Sequence, residues 1–422
     1  MSVMYDIIVF GASGTTGTLV IIELIKYTAE QEEVKWAIAG RNETKLNASL
    51  RMARDYSGSE GSNIPIIIAD ITNAASLSNM CKQTKVLLNC AGPFNVLGEP
   101  ILNACVEEGC HYLDVCCESS FLEMMRTKYH DPAKSKGVIM VGSCGFDNAP
   151  SDLGVSYVKD NFKGCLNSID IYISLKQLSQ NGGAVLSVPT WHSILHNLES
   201  PVGNGDSEEK EKLRARFKSS YPVQKRYLPH YSKEAGAWCV PYNGACASVL
   251  NHSQDYFHEQ QNERPSIVNP YSASESFIGI MIETLYLLFL KLICTFQYGK
   301  YLCSKYYSLF SLGLVGSVPA GGKAITRHLF VGRGWRTKCD PVDQEYSSPP
   351  DQTIEIEIYT NKPGYESSAI YLVCCAIQLS RQKDKLPLTG GVYTPATAFH
   401  RTPYREYLEK NGIHFKQLSP CE

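Results

Sequence analysis

The chain of 422 residues is long enough for two or three domains with a sizeable core, which excludes a small disulfide-stapled module. Forty basic against forty-two acidic residues leave a net charge of -2, so no overall field would attract nucleic acid, and we expect no nucleic-acid partner. Charged residues make up only 19% of the chain and aromatic residues 10%, which disfavours disorder and predicts a partly apolar surface.

The sixteen cysteines are scattered along the chain and never form a C-x-x-C spacing, so the sequence predicts no metal site. The residues before the first apolar run carry no basic stretch, and we therefore expect no cleavable signal peptide. The thiols are then expected to be reduced, and the protein to be intracellular and not secreted.

The first predicted element is a short strand over residues 5–10, followed by a glycine-rich turn and, from residue 19, an apolar stretch with helical spacing. This order suits a dinucleotide, because glycines permit a tight turn and the N–H groups that begin the helix can hold a pyrophosphate. The three-glycine spacing alone also fits an ordinary tight turn, but its position between strand and helix favours the cofactor. The predicted phosphate-binding residues are Gly11, Ser13, Gly14, Thr15, Thr16 and Gly17.

Helices and strands alternate in the next part of the chain, which predicts an α/β Rossmann fold with a doubly wound parallel sheet. At the end of the second strand, Arg41 stands where NAD enzymes usually carry an acidic residue for the ribose 2′-hydroxyl. A guanidinium there suits a 2′-phosphate, so NADP is favoured over NAD, and a solvated loop cation is the alternative. The predicted strands after the first cover residues 34–40, 64–70, 86–93, 111–118 and 138–147.

Two strand ends carry further candidate cofactor residues. Asp70 could accept a hydrogen bond from the adenine amino group, or it could cap the next turn through Thr72 and Asn73. The end of the fourth strand lies beside the crevice where doubly wound sheets bind ligands, which predicts the edge of the nicotinamide pocket. Glycine and proline in a loop need no such role. The residues concerned are Asn89, Ala91, Gly92 and Pro93.

The fifth and sixth strands end in turns that hold carboxylates. Asp114 and Glu118 could bind substrate or a ribose, whereas Asp152 is expected to cap its own helix. A reductase also needs a proton donor, although a single histidine is more often a packed or capping residue. The candidate donors are Asp147, Tyr112 and, further along the chain, His192.

From about residue 163 the pattern changes to that of a second, α+β domain. Residues 168–175 alternate polar and apolar side chains as a half-buried strand does, and residues 206–218 carry the mixed charges of a solvated helix or loop. Residues 352–359 alternate strictly, like an edge-tolerant strand. Residues 368–377 predict a buried helix, and residues 404–410 predict a short terminal helix.

The most unusual stretch, residues 276–316, begins with an apolar run that is long enough to cross hydrocarbon. Three structures would fit: a helix of the core or of a dimer interface, a spanning helix, and a hairpin that enters one leaflet. Glu283 and Lys291 would each cost about 2.5–3.5 kcal/mol inside a spanning helix, which makes spanning the least favoured. A hairpin with Tyr and Lys at the interface suits a membrane or a lipid-droplet surface.

Several of these stretches together resemble the saccharopine dehydrogenase-like oxidoreductases, animal proteins related to saccharopine reductase and to bacterial trans-acting enoyl reductases. The glycine loop and Gly40-Arg41 match the family's NADP-binding positions, whereas Cys117 stands where relatives commonly have a glycine. The resemblance extends over residues 9–17, 39–41, 88–94, 98–100, 112–114, 145–154 and 390–399.

The resemblance implies three parts of the chain. They are a Rossmann domain over residues 1–160, an α+β substrate or oligomerisation domain over 161–389, and a C-terminal segment over 390–422 that returns to the first domain. It does not transfer lysine-pathway activity, because a fold and a cofactor site do not determine the substrate.

The leading hypothesis is an NADP-dependent oxidoreductase of a small-molecule or lipid substrate, hydrophobic or lipid-linked, that attaches through residues 276–316. It predicts a location on lipid droplets or on the cytoplasmic face of a membrane. The first alternative is a lipid-droplet scaffold or nucleotide sensor without turnover, and the second is a saccharopine-type amino-acid dehydrogenase in the cytosol. The apolar segment could also pair two copies in a homodimer.

Overall fold

The described part of the chain forms two seven-stranded sheets with helices packed around them. The computed structural model describes residues 3–30, 34–58, 63–177, 184–199, 223, 226–242, 244–317, 324–338, 346–362, 364–382, 385–386 and 389–419. The charged stretch 206–218 lies outside these residues.

The first sheet is parallel throughout and has the strand order β13-β6-β5-β4-β1-β2-β3. The order reverses beside β1, which creates the crevice where such sheets bind ligands, and this confirms the predicted doubly wound Rossmann fold. The strands are β1 (Tyr5–Phe10), β2 (Trp36–Gly40), β3 (Ile66–Ile68), β4 (Thr84–Asn89), β5 (His111–Asp114), β6 (Ile139–Val141) and β13 (Gly391–Tyr393).

Helices cover both faces of this sheet, so its central strands are fully buried. Ile7, Ile8 and Val9 of β1 have no exposed surface, as an apolar run in a parallel strand requires. Several strands are shorter than predicted, because polar side chains such as Asp114 turn the chain by binding nearby N–H groups. The helices are α1 (Thr15–Glu30), α2 (Glu43–Ser57), α3 (Ala74–Cys81), α4 (Phe94–Leu97), α5 (Glu99–Glu108), α6 (Ser119–Lys136) and α7 (Ala149–Asn161).

The second sheet is mixed and has the order β14-β12-β11-β7-β10-β9-β8, in which only β7 and β10 pair in parallel. The strictly alternating strand β12 is not at an edge, because β14 pairs with its outer side. The strands are β7 (Cys165–Gln177), β8 (His230–Ser232), β9 (Ala237–Pro241), β10 (Ile267–Ser274), β11 (Ala324–Trp335), β12 (Gln352–Thr360) and β14 (Ile413–Ser419).

The C-terminal part of the chain contributes to both sheets. The helix over Gly364–Arg381 packs against α1, and β13 adds to the first sheet, whereas β14 adds to the second. The predicted helix over 404–410 is present but is followed by β14, which the sequence analysis missed. The remaining helices are α8 (Val188–Glu199), α9 (Cys246–Gln261), α10 (Phe277–Cys294), α11 (Gln297–Lys305), α12 (Tyr307–Phe310), α13 (Gly364–Arg381), α14 (Pro395–Phe399) and α15 (Tyr404–Lys410).

The apolar helix α10 lies on the surface. Only Ile280, Leu290 and Cys294 of its eighteen residues are buried, where it packs on α8 and on strands β9 and β10. Within this chain the core-helix interpretation is therefore wrong. Among the described residues α10 is the one helix long and apolar enough to cross a membrane.

The second apolar piece folds back against α10. The hydroxyl of Tyr286 on α10 donates to the carbonyl of Phe310, and the indole N–H of Trp191 on α8 donates to the carbonyl of Cys303 on α11. Residues 277–310 thus form a compact helical hairpin.

Candidate active site at the carboxyl edge of the parallel sheet

A cavity of about 1870 Å³ lies at the carboxyl ends of the parallel strands. One wall consists of the glycine loop after β1 and of the loops after β4, β5 and β6. The other walls are α8, β9, β10, α13 and one face of α10. Ligand pockets usually measure about 300–1000 Å³, so this cavity has room for a dinucleotide and a second large ligand.

The glycine loop has the close packing that a dinucleotide site needs. Gly11 has a φ of +75°, and a Cβ there would lie 2.8 Å from the backbone nitrogen of Ala91. A Cβ on Gly17 would lie 2.4 Å from the carbonyl oxygen of Gly11, so Gly17 lets α1 start against the loop. Ser13 and Thr15 line the cavity at the start of α1, as Gly11, Gly14 and Thr16 also do. The loop therefore fits a pyrophosphate.

Two cations lie beside this loop. Arg41, directly after β2, and Lys45, in the first turn of α2, both line the cavity. Arg41 therefore lines the cavity, as a contact with a 2′-phosphate would need, and that contact stays a prediction. Lys45 is a second positive charge that sequence reasoning missed.

Asp70 is in the turn before α3 and does not line the cavity. One of its carboxylate oxygens accepts from the backbone N–H and from the hydroxyl of Thr72, at 2.9 and 2.8 Å. These bonds, with a smaller contribution from the charge of Arg41, lower the pKa of Asp70. The side chain that caps α3 belongs to Asn73. The sequence left two roles for Asp70, a bond to adenine and a cap of the next turn. The contacts of the carboxylate agree with the second of them, through Thr72.

The loop after β4 supplies cavity lining from Ala91 and Gly92, whereas Pro93, which was also predicted at this site, does not line the cavity. Asn89 is fully buried and does not reach the cavity: its Oδ1 accepts from the N–H of Ala91 at 3.0 Å, and its Nδ2 donates to the hydroxyl of Tyr112 at 3.0 Å. Asn89 therefore stabilises the conformation of this loop from its buried side.

Two of the three candidate proton donors do not face the cavity. Tyr112 is fully buried, its hydroxyl binds Asn89, and burial raises its pKa well above the usual value. His192 lies on the other side of α8, where its Nε2 is 3.0 Å from the hydroxyl of Ser304 on α11. We therefore set both aside as proton donors.

The third candidate, Asp147, does line the cavity, and it is paired with a tyrosine. The hydroxyl of Tyr242, which directly follows β9, donates to Oδ1 of Asp147, and both side chains face the same space. Burial raises the pKa of Asp147, although the bond from Tyr242 offsets part of that change. Burial and the adjacent Asp147 charge hold the pKa of Tyr242 well above its usual value. Sequence reasoning missed Tyr242, because no local pattern links it to a residue 95 positions earlier.

The carboxylate of Glu118 connects two parts of the cavity wall by hydrogen bonds. Its oxygens accept from the N–H groups of Phe94 and Asn95, at 2.7 and 2.9 Å, and from the hydroxyl of Ser193 at 2.6 Å. Glu118 thus joins the start of α4 to α8, is fully buried and does not line the cavity. Cys117 beside it lines the cavity without a positive φ, so the position where relatives commonly have glycine accommodates a side chain here.

Two other buried carboxylates, those of Asp114 and Asp152, bind backbone N–H groups and do not line the cavity. Asp114 accepts from the N–H groups of Cys116 and Ser143, both at 2.9 Å, and burial raises its pKa to about 6. Asp152 accepts from the N–H of Ala396 at 2.7 Å, so it stabilises the start of α14 and not, as predicted, that of its own helix. The prediction was wrong because α7 begins earlier than expected: its N-cap is Asn148, so Asp152 lies within the first turn and not at the cap position.

The parallel sheet, the glycine loop and the cavity beside them define a dinucleotide-binding oxidoreductase of the Rossmann class. Residues 7–141 match the family model described as the Saccharopine dehydrogenase NADP binding domain. The Saccharopine dehydrogenase-like oxidoreductase of Bos taurus is 34% identical over 99% of this chain and 98% of its own length. The chain belongs to the saccharopine dehydrogenase-like oxidoreductases, and NADP is the cofactor of its first domain.

More distant relatives agree with this assignment. The Lipid droplet localized protein of Caenorhabditis elegans is 30% identical over 98% of both chains, and the Trans-acting enoyl reductase of Mycobacterium ulcerans is 30% identical over 46% of both. The solved apo saccharopine dehydrogenase (L-Glu forming) of Saccharomyces cerevisiae covers 98% of this chain and is itself covered completely, with a TM-score of 0.54 and 10% identity. That last likeness shows the fold alone.

Replacing Arg41 with alanine is expected to weaken NADPH binding about 10- to 100-fold, because a charge-assisted hydrogen bond contributes about 1.5–3 kcal/mol. NADH binding should change little, since NADH has no 2′-phosphate. Titration of cofactor fluorescence measures both affinities. Arg51→Ala is the matched control, because Arg51 lies on α2 outside the cavity lining. Equal loss of both cofactors would contradict a 2′-phosphate contact.

Proposed function

We propose that the protein is an NADP-dependent oxidoreductase that reduces a hydrophobic or lipid-linked substrate at a lipid surface. One observation carries the proposal: a single cavity extends from the glycine loop and Arg41, past Asp147 and Tyr242, to the surface helix α10. The proposed cofactor loop, the proposed proton donor and an apolar wall thus line one space.

The chemistry assigned to the chain is the transfer of one proton. Bound NADPH supplies the hydride. In the relay Asp147 is protonated and donates to the Tyr242 oxygen, the reverse of the bond to an ionised carboxylate. Tyr242 then gives its own hydroxyl proton to the substrate atom that gains electrons, and the Asp147 proton passes to the Tyr242 oxygen. Burial, which raises the pKa of Asp147, favours the protonated carboxyl that this relay needs. Asp147 is left as a carboxylate and regains its proton from solvent.

Attachment to lipid is proposed for the hairpin over residues 277–310. Its exposed surface is apolar along α10, and near the end of α11 Lys305 lies 5.4 and 5.6 Å from the ring centres of Tyr301 and Tyr306. Tyrosine and lysine of this kind are typical of the boundary between headgroups and hydrocarbon. We infer an intracellular lipid droplet or the cytoplasmic face of a membrane, and the similarity to the Lipid droplet localized protein of Caenorhabditis elegans supports the droplet.

The test of the proposed function is oxidation of NADPH by the purified full-length chain. The probes are long-chain enoyl and keto lipids presented in vesicles, and saccharopine with NADP serves as the comparison. Turnover of at least one lipid probe is the expected result. Turnover of saccharopine alone would favour a cytosolic amino-acid dehydrogenase. NADPH binding without turnover of any probe would favour a scaffold or nucleotide sensor.

A further inference from the structure

Helix α10 has two opposed faces with different surroundings. Successive residues of a helix are about 100° apart, so residues at positions i, i+4, i+7 and i+11 share one face. The outer face, defined by Ile278, Ile282, Leu285, Phe289 and Leu292, is exposed. The inner face, defined by Glu283, Thr284, Leu287 and Lys291, lines the catalytic cavity, and Leu288, which is itself 58% exposed, lines it from the border between the two faces.

The two charged residues of α10 therefore lie on the side of the helix that faces the cavity, opposite the side proposed to contact lipid. Both Glu283 and Lys291 line the cavity, and the outer face between Ile278 and Leu292 has no charged residue. Neither charge has an ion-pair partner among the residues that the structure describes. The outer face can enter lipid without burying a charge in it, and both charges remain available to a polar ligand in the cavity.

The inner face also provides apolar surface between these charges. Leu287 and Leu288 line the cavity between Glu283 and Lys291, and Val185 and Val240 belong to the same lining. A ligand on this wall meets hydrocarbon side chains flanked by an acidic and a basic group. Such a surface is complementary to an amphiphile, and a small hydrophilic metabolite would leave the leucines and valines uncovered.

We propose that α10 is a partition between the lipid layer and the cavity, and that the substrate is a long-chain amphiphile which moves from the lipid around α10 into the cavity. The hydrocarbon chain contacts Leu287 and Leu288, and the polar part of the lipid contacts Glu283 and Lys291. The reactive end lies at Asp147 and Tyr242. This inference rests on the proposed attachment of the outer face to lipid.

Photochemical labelling tests this path with the full-length chain bound to phosphatidylcholine vesicles. The probe is a lysophosphatidylcholine with a diazirine near the end of its single chain. After illumination, adducts are mapped by mass spectrometry. We expect adducts in the cavity lining, at Leu287 and at Val240, in addition to adducts on the outer face.

Two tryptophan variants separate the cavity from the lipid surface. Leu287→Trp fills the inner face, so the adducts at Val240 should be lost while vesicle binding and NADPH binding persist. Leu285→Trp, the matched outer-face change, should leave the cavity adducts in place.

Adducts confined to the outer face of the unmodified chain would overturn the path and leave lipid attachment standing. Failure of the chain to bind vesicles would overturn the attachment and the path together. Val240 adducts that persist in Leu287→Trp would also overturn the path.

Discussion

Tyr242→Phe is expected to lower the turnover number of the reductase about 10²- to 10⁴-fold, the usual contribution of a positioned acid. The substitution removes only the hydroxyl that donates to Asp147, so the ring still packs and NADPH should bind with unchanged affinity. The measurement is kcat with the best lipid probe, together with the Kd for NADPH.

A second cavity tyrosine supplies the matched control. The hydroxyl of Tyr365 contacts Thr190 at 2.6 Å and, within the described part of the chain, has no carboxylate partner, although it lines the same cavity. Tyr365→Phe should therefore retain most of the turnover. An equal loss in both variants would show that the cavity responds to any lost hydroxyl, and it would remove Tyr242 from the proton relay.

The pH dependence has a definite sign. Burial raises the pKa of Asp147 above that of an ordinary aspartate, so the protonated carboxyl persists to higher pH. Reduction needs that proton, and turnover of the unmodified protein should fall as the pH rises through this pKa. Asp147→Asn cannot lose the proton, and its low residual turnover should not show this fall. A fall of the same shape in both proteins would contradict the role of Asp147.

Much of the first domain could be predicted from the sequence, because its signals are local. The apolar run of β1 and the glycines after it lie within a dozen residues, and steric contacts with Gly11 and Gly17 explain why glycine is required there. Arg41 could be predicted for the same reason, since it follows directly from the end of β2. Strand ends were less accurate, because a carboxylate such as Asp114 ends a strand through contacts that no periodicity reveals.

Of the proposed proton-relay pair, only one member could be predicted from the sequence. Asp147 follows a predicted strand of the first sheet, but Tyr242 comes from the second sheet and reaches it only after folding. Tyr112 and His192 could each donate a proton, but neither side chain faces the cavity. Tyr112 points into the core, and His192 points toward α11. Sequence alone gives neither direction, because each depends on the packing of helices and strands distant in the chain.

The apolar segment shows the same limit. Its length and composition left a core or dimer-interface helix, a spanning helix and a lipid-embedded hairpin as alternatives. The exposure of α10 excludes the core helix of this chain, and attachment to lipid stays a prediction. The charges at Glu283 and Lys291 counted against a spanning helix in the sequence. In the structure both residues line the cavity, so under the proposed attachment they lie on the side of α10 that faces away from lipid.

Vesicle binding is expected to fall by roughly a thousandfold when Ile282, Leu285 and Leu292 are all replaced by glutamine. These side chains are 61%, 60% and 65% exposed, and moving surface of that size into hydrocarbon contributes about 4 kcal/mol in total. Flotation with phosphatidylcholine vesicles or triacylglycerol droplets measures the partition. With a net charge of -2, binding must come from insertion, so it should change little between low and high salt.

The control replaces Met52, Ile68 and Val96 with glutamine, since these side chains are 57%, 51% and 61% exposed on the first domain, away from α10. That variant should float like the unmodified chain. Both variants should bind NADPH normally, because none of the six positions lines the cavity. The competing explanation for the outer face is a homodimer. If the unmodified chain sediments as a dimer, fails to float, and becomes a monomer in the α10 variant, then the outer face binds a second copy and not lipid.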